Sequence, residues 1–354
     1  MILKGIILSS IHRLKGERST SATYYIIAGR KSIQTVQDIH MYGLKQFYSI
    51  YPKLIKSYFD KVIYELKKEQ LIEITDDNKE TYILSSIGLQ WLRDHKSILP
   101  LSYYSGMQNG ESSRVFWSRL QLLIQTITNV HKNEFHFIPV VEDKAIETWV
   151  KLYYQRIKLD TSSFLQQLYE ELQEVLQKLP TYMAEIFVDR LTSFKDYGKS
   201  VHQLASSHYL TTIDLELTLI AALHRIINII QSYKQTYSLL NDIIQTTEPR
   251  RLSNTAITTY QYLLKGFSIE EIAKRRKLRV NTIYDHVVEI ALHDSAFPID
   301  AYVSKYDQKI IVRAYNEVDV YKLKLIKQKV PEHITYFHIR LVLTMLTNTQ
   351  KVGD

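Results

Sequence analysis

The middle of the chain, residues 113–240, carries apolar side chains at helical spacing with few interruptions. Leucine and valine recur every three or four positions over 165–179, and 213–240 is a second long apolar segment. The 354 residues include only 10 glycines and 7 prolines, so few positions break a helix. Such stripes form the core faces of packed helices, and dimerisation through one of them is the alternative. The chain is therefore predicted to be mainly α-helical.

The first 98 residues show a different order, in which helices precede a hairpin. Apolar spacing predicts helices over 2–13, 33–41, 53–69 and 86–94. Two strand-like segments, 71–75 and 81–84, flank a polar turn that contains Asp76 and Asp77. Helices followed by a small β-hairpin are typical of a winged helix. Residues 1–98 are therefore predicted to form a winged-helix domain.

Loop-forming residues divide the rest of the chain. Residues 97–112 contain Gly106 and Gly110 and are predicted as a linker, and Pro249 marks a second boundary. The segment between them, 113–245, is predicted as a central all-helical domain.

The third predicted domain, 250–346, contains two short helices joined by a tight turn. Ser268 and Glu271 fit a capping box, serine at the N-cap and glutamate three residues later, at the start of a helix over 268–276. A second helix is predicted over 280–292. Two short helices separated by a few residues indicate a helix-turn-helix.

The charge is unevenly distributed along the chain. Residues 1–105 have a net charge of +5, residues 106–249 of −3, and residues 250–354 of +6, within a total of +8. Two basic ends around an acidic middle indicate two modules that bind a polyanion such as nucleic acid. The alternative is a set of solvated lysines.

Several kinds of chemistry are excluded by the residue types. There is no cysteine, so thiolate metal sites and cysteine nucleophiles are absent. The nearest match to a phosphate loop, 28–32, lacks the spacing of a Walker A motif. No paired acid and base or metal-ligand spacing occurs either. We therefore expect a protein without enzymatic activity, cofactor or metal. No uncharged apolar run of about 18 residues is present, so we expect no membrane span and a cytoplasmic location.

The candidate DNA-binding residues lie in both basic ends. Five cations surround the predicted turn of the helix-turn-helix, and two polar residues begin its second helix: Lys274, Arg275, Arg276, Lys277, Arg279, Asn281 and Thr282. Four more candidates come from the predicted winged helix: Arg30, Lys31, Lys53 and Lys56. Helix-turn-helix proteins place such a turn against the DNA backbone. Cations also suit the end of a helix, which is the alternative explanation of the first group.

The second helix of the motif is predicted to expose Asp285, His286 and Glu289 in addition to Asn281 and Thr282. Two of these residues are acidic and would repel phosphates. Weak sequence specificity is therefore expected.

Residues 1–95 resemble the winged-helix domain of RecQ-type helicases. The resemblance rests on the order and spacing of short motifs: Ile7-Leu8-Ser9-Ser10-Ile11, Tyr25-Ile26-Ile27, Gly29-Arg30-Lys31, Tyr42-Gly43-Leu44 and Leu84-Ser85 with Gly88. Residues 250–345 resemble the helicase-associated helix-turn-helix domain found at the C-terminus of some RecQ proteins. The matching residues are Gly266-Phe267-Ser268-Ile269, Ile272-Ala273, Leu278, Thr282-Ile283, His286 and Lys322-Leu323-Lys324.

Taken whole, the chain resembles the YpbB family, bacterial proteins that carry such a C-terminal module and are typically encoded beside a short RecQ-type helicase. The resemblance implies a nucleoid-associated protein that binds duplex or forked DNA and acts with that helicase in DNA repair and recombination. The motor and the cysteine-rich zinc subdomain of RecQ proteins have no counterpart here. A dimeric transcription regulator and a protein-only adaptor are the alternatives.

Overall fold

The computed structural model describes residues 1–244, 252–294, 296–318 and 323–349. The helices among them are α1 (Ile2–Leu14), α2 (Thr20–Ala28), α3 (Ile33–Met41), α4 (Lys56–Lys68), α5 (Ser86–Asp94), α6 (Gly106–His131), α7 (Lys144–Ile157), α8 (Thr161–Leu176), α9 (Thr181–Asp189), α10 (Val201–Ser207), α11 (Thr212–Ser232), α12 (Ser238–Ile244), α13 (Asn254–Leu264), α14 (Ile269–Arg276), α15 (Val280–His293), α16 (Lys305–Val318), α17 (Leu323–Gln328) and α18 (Tyr336–Thr349). One small sheet pairs β1 (Ile72–Asp76) with β2 (Thr81–Leu84). The prediction of a mainly α-helical chain with one hairpin is confirmed.

The described residues divide into two compact units. Unit 1 comprises those of Met1–Ser9, Lys45–Ile72 and Leu84–Pro249, and unit 2 those of Ser10–Leu44, Glu73–Ile83 and Arg250–Asp354. Each unit draws on more than one of the three predicted domains. The three-domain division stays a prediction, and its boundary at Pro249 lies outside the described residues.

Unit 1 is a helical assembly in which α6 and α11 each pack against several neighbouring helices. Leu120 and Leu123 of α6 and Ile226 and Ile230 of α11 are completely buried. The apolar stripe predicted over 165–179 lies mainly on α8 and faces this core. The second apolar segment does not form one helix, because the chain leaves the helical path between α11 and α12.

Helix α6 begins at Gly106, inside the segment that the sequence predicts as a linker. A side chain at position 106 would collide with the carbonyl oxygen of Tyr48. Glycine at this position therefore allows two backbones to approach closely, and it does not interrupt the helix. The predicted linker is wrong from residue 106 onward for this reason.

Gly88 of α5 offers a direct test of backbone packing in unit 1. A Cβ at this position would overlap the carbonyl oxygen of Leu71, which is itself held because it accepts a hydrogen bond from the Ser85 N–H (3.2 Å). We expect Gly88→Ala to lower the free energy of unfolding by about 1–3 kcal/mol, as overpacking does. Urea unfolding followed by circular dichroism measures the change.

Gly110→Ala is the matched control for this substitution. Gly110 lies within α6, and the nearest atom to an added Cβ is the Ser49 carbonyl oxygen at 3.5 Å, an ordinary contact. Because alanine favours a helix over glycine by about 1 kcal/mol, stability should stay the same or rise. Equal unfolding midpoints for the two variants would contradict the packing explanation.

Unit 2 combines the C-terminal helices with an early part of the chain. Its apolar cluster contains buried residues from α13 to α18, and Ile33, Val36 and Met41 of α3 pack against it. Helix α2 was not predicted from the sequence, and it is followed by Gly29 in the left-handed conformation (φ 75°). The four helices predicted before residue 98 and the hairpin occur in the predicted order, with α2 as an additional helix, and the winged-helix assignment stays a prediction.

Candidate nucleic-acid interface

Helices α14 and α15 form the two-helix motif that the sequence predicts, and α13 packs against both. The Ser268 hydroxyl accepts a hydrogen bond from the Glu271 N–H (3.2 Å), and the Ser268 N–H donates to the Glu271 carboxylate (2.9 Å), which completes the predicted capping box. These bonds also lower the pKa of Glu271. Lys277 ends α14 in the left-handed conformation (φ 53°), and the Leu278 N–H donates to the Ala273 carbonyl (2.9 Å). The turn between α14 and α15 is thus fixed by backbone bonds.

Arg276, which the sequence placed among the DNA contacts, is half-buried and makes hydrogen bonds inside the motif. Its guanidinium donates to the Thr255 carbonyl (2.8 Å) and to the Thr259 hydroxyl. Thr259 also shares a hydrogen bond with the imidazole of His286 (2.8 Å). Burial and the nearby Arg276 charge lower the pKa of His286, which favours its neutral form. Arg276 therefore ties α14 to α13 and is directed inward.

The other predicted cations of this region face solvent. The exposed residues are Lys274, Arg275, Lys277, Arg279 and Asn281. The guanidinium of Arg275 lies over the ring of Phe267, 4.3 Å from its centre, so part of this side chain is held in place. Arg279 occupies the N-cap position of α15 without making a side-chain cap bond. Thr282, the third residue of α15, is half-buried. We name the four exposed cations Lys274, Arg275, Lys277 and Arg279 the turn cluster.

Beyond its first turn, α15 is enclosed by other helices of unit 2, namely α3, α13, α14 and α18. His286 is buried and not exposed, which corrects the sequence expectation. Asp285 accepts a hydrogen bond from Arg340 (2.6 Å), and Glu289 accepts hydrogen bonds from the N–H (2.6 Å) and hydroxyl (3.0 Å) of Ser253. The two acidic residues thus have internal partners. The start of α15 is its most open part, because Asn281 is exposed and the residues after it are half-buried or buried.

The four N-terminal candidates fall into two groups. Arg30 and Lys31 are exposed in unit 2, directly before α3, and the Arg30 guanidinium lies 4.3 Å from the centre of the Tyr25 ring. Lys53 and Lys56 belong to unit 1 and form ion pairs with Glu216 and Asp60. Their charges are partly compensated by these carboxylates, so they are weaker candidates for phosphate contacts.

Arg340 is a residue that the sequence analysis missed. Its guanidinium donates to the Gln37 side chain (3.0 Å) and to Asp285 (2.6 Å), and it thereby joins α18, α3 and α15. A single arginine within an apolar helix carries no motif. Its role becomes visible only when the partners, 303 and 55 residues away, are seen beside it.

Comparison with known proteins agrees with this geometry. A family model described as a helix-turn-helix domain matches residues 255–343. Protein YpbB of Bacillus subtilis (strain 168) is 30% identical over 341 residues, which cover 96% of each chain. The chain belongs to the YpbB family. No solved structure matches it.

The family assignment and the domain match agree with the observed helix-turn-helix, but they do not identify individual DNA-binding residues. The helix-turn-helix of this YpbB-family chain is of a class that binds DNA, and its turn cluster is exposed. Within the described residues, no helix is long and apolar enough to cross a membrane.

Alanine substitutions at Arg276 and at Lys274, two residues earlier, compare a cation that has internal hydrogen bonds with an exposed one in this YpbB-family chain. We expect Arg276→Ala to lower the free energy of unfolding by about 1–3 kcal/mol, because Thr255 and Thr259 lose a charged donor. Lys274→Ala, at an exposed position, should change it by less than about 0.5 kcal/mol. Thermal and urea unfolding of both variants compare the two. A stable Arg276→Ala protein would show that these contacts contribute little.

Proposed function

We propose that this YpbB-family protein is a non-enzymatic, nucleoid-associated accessory protein that binds DNA in the cytoplasm and acts with a RecQ-type helicase in DNA repair and recombination. The observation that carries the proposal is the turn cluster, whose four cations are exposed at the helix-turn-helix. Cations placed in this way neutralise phosphates and release their counterions, which drives binding.

The enclosed position of α15 favours contacts with the DNA backbone over the reading of bases. A recognition helix that reads sequence lies in the major groove, with several of its side chains at base edges. Here His286 is buried, and Asp285 and Glu289 have internal partners. Asn281 is the exposed polar residue at the start of the helix. Weak sequence specificity is therefore part of the proposal, and it disfavours a transcription regulator.

The helicase partner is supported by the likeness of both ends of the chain to RecQ modules. A short RecQ-type helicase lacks these modules, and this chain lacks the phosphate loop of a motor. The chain would supply in trans the DNA-holding modules, so that a fork stays bound while the motor advances.

Fluorescence anisotropy with labelled single-stranded, duplex and forked DNA over a salt series tests DNA binding. Four to six phosphate contacts predict that log K falls with log salt at a slope of about −4 to −5 on duplex. We expect this slope without dependence on sequence, and tighter binding to the fork. Weak, salt-insensitive binding to all three DNAs would favour the adaptor, and tight binding to one palindromic site would favour the dimeric regulator.

A strand-separation assay tests the helicase part of the proposal. We expect the purified chain to increase the unwinding of forked DNA by a short RecQ-type helicase and to hydrolyse no ATP on its own. A chain with alanine at the turn cluster should lose the stimulation. Equal stimulation by that variant would show that the effect on the helicase does not depend on DNA binding by the turn cluster.

A further inference from the structure

Helix α3 is an integral part of the fold around the helix-turn-helix, although it lies far outside residues 255–343 that the family model matches. Ile33, Val36 and Met41 of α3 pack against the apolar cluster of α13 to α18. Gln37 and His40 of the same helix are buried. The DNA-binding motif is therefore completed by a segment near the start of the chain.

Two contacts determine the direction in which α3 runs beside α15. Arg340 joins Gln37 to Asp285, and the ring of His40 meets the ring of His293 edge-on at 5.7 Å. Gln37 precedes His40, and Asp285 precedes His293, so the two helices run in the same sense. Their N-terminal ends therefore lie toward the same end of the pair.

The residues before α3 consequently lie near the beginning of α15. At 1.5 Å per residue, the link from Gln37 through Arg340 to Asp285 puts the starts of α3 and α15 within about 2 Å of one level, and the His40–His293 contact puts the start of α15 about 9 Å beyond that of α3. Arg30 and Lys31 precede the first helix, and Arg279 and Asn281 stand at the start of the second. All four side chains are exposed.

The charge at this end of the helix pair is positive. Asp285 is paired with Arg340 (2.6 Å), and Asp38 of α3 is paired with Arg18 (2.9 Å). The nearby carboxylates are thus matched by cations of their own. Four exposed cations can therefore bind a polyanion from two sides of the first turn of α15: Arg30, Lys31, Lys277 and Arg279.

We infer that Arg30 and Lys31 bind the phosphate backbone of the same duplex segment as Lys277 and Arg279, in one composite surface. This inference rests on the proposed function and makes it more specific. Two separate basic modules would each need their own stretch of DNA, whereas a composite surface holds one short stretch from two sides. The occupant is the backbone of duplex DNA, because the surface offers cations and little access to base edges.

The test compares three double variants of the full-length chain, each of which removes two exposed cations. They are Arg30→Ala/Lys31→Ala, Lys277→Ala/Arg279→Ala and, as a matched control on unit 1, Lys151→Ala/Lys158→Ala. Anisotropy is measured on a long duplex and on one of about 12 base pairs, which is roughly 40 Å long. Circular dichroism melts confirm that each variant is folded.

We expect the first two variants to lose affinity about tenfold on both duplexes, with the salt slope reduced by about 1.8 for two phosphate contacts. The control should bind like the unmodified chain. If the Arg30/Lys31 variant matches the control, or weakens binding only on the long duplex, the composite surface is refuted while the proposed function stands. If the Lys277/Arg279 variant also matches the control, the proposed binding of DNA by the helix-turn-helix is refuted.

Discussion

Replacing the whole turn cluster, Lys274, Arg275, Lys277 and Arg279, with alanine should lower the affinity for duplex DNA about 100-fold and leave the protein folded. Each exposed ion pair with a phosphate contributes up to about 1 kcal/mol, and 1.4 kcal/mol corresponds to tenfold in affinity. The four side chains are exposed, so their removal leaves the helices in place. Arg276 is kept because it holds α14 against α13.

Anisotropy over a salt series measures this loss. The slope of log K against log salt should become less negative by about 3.6, which is 0.9 for each of four phosphates. The control removes four exposed lysines of unit 1, Lys132, Lys144, Lys151 and Lys158, and thus changes the net charge equally. An equal loss in both variants would mean that overall charge, and not the turn, attracts the DNA.

The second large effect concerns a buried histidine of unit 1. His224 on α11 is completely buried, and its Nδ1 accepts a hydrogen bond from the Ser105 N–H (3.1 Å). Burial, and to a lesser extent the charge of Arg114, lowers its pKa from 6.5 to about 4. The folded protein therefore holds this imidazole neutral at pH values where the unfolded chain protonates it.

The sign of the resulting pH dependence follows from proton linkage. Below the unfolded pKa of 6.5 the unfolded chain binds a proton that the folded chain does not, so stability falls as the pH drops toward 4. A shift of this size corresponds to about 3 kcal/mol between pH 7 and pH 4. We expect a large part of the acid destabilisation of unit 1 to come from this one residue.

His224→Gln should remove this contribution, because glutamine offers an acceptor to Ser105 but has no proton to gain. Urea unfolding at several pH values gives the difference between this variant and the original chain. That difference should change by about 3 kcal/mol between pH 7 and pH 4. His202→Gln, at an exposed position, is the control and should keep the original pH profile. Parallel profiles for all three proteins would disprove the role of His224.

The sequence predicted the helix-turn-helix well because its signals are local. Ser268 and Glu271 lie within three residues of each other in the capping box, and the observed ends of α14 and α15 lie within one residue of the predicted ones. Gly106 was misread for the opposite reason. Its partner is the Tyr48 carbonyl, more than fifty residues away, so its packing role has no local signature.

The site residues, too, were predictable where their surroundings are local in sequence and not where their partners are distant. The exposure of Lys274, Lys277 and Arg279 was predictable, since cations at a tight turn have little to pack against. The hydrogen bonds of polar side chains could not be predicted where their partners are distant in sequence. Arg276 binds Thr255 and Thr259, and Asp285 binds Arg340, contacts that a pattern along one helix cannot reveal.

The bond between Gln37 and Arg340 also constrains how the protein is made, because 303 residues separate the two partners. At a synthesis rate of roughly 5–20 residues per second, about 15–60 s pass between the emergence of α3 and that of α18 from the ribosome. During this time Ile33, Val36 and Met41 lack the surface that covers them in the finished fold. Helix α3 must therefore be kept from aggregation until α18 has been made, and unit 2 closes only after that.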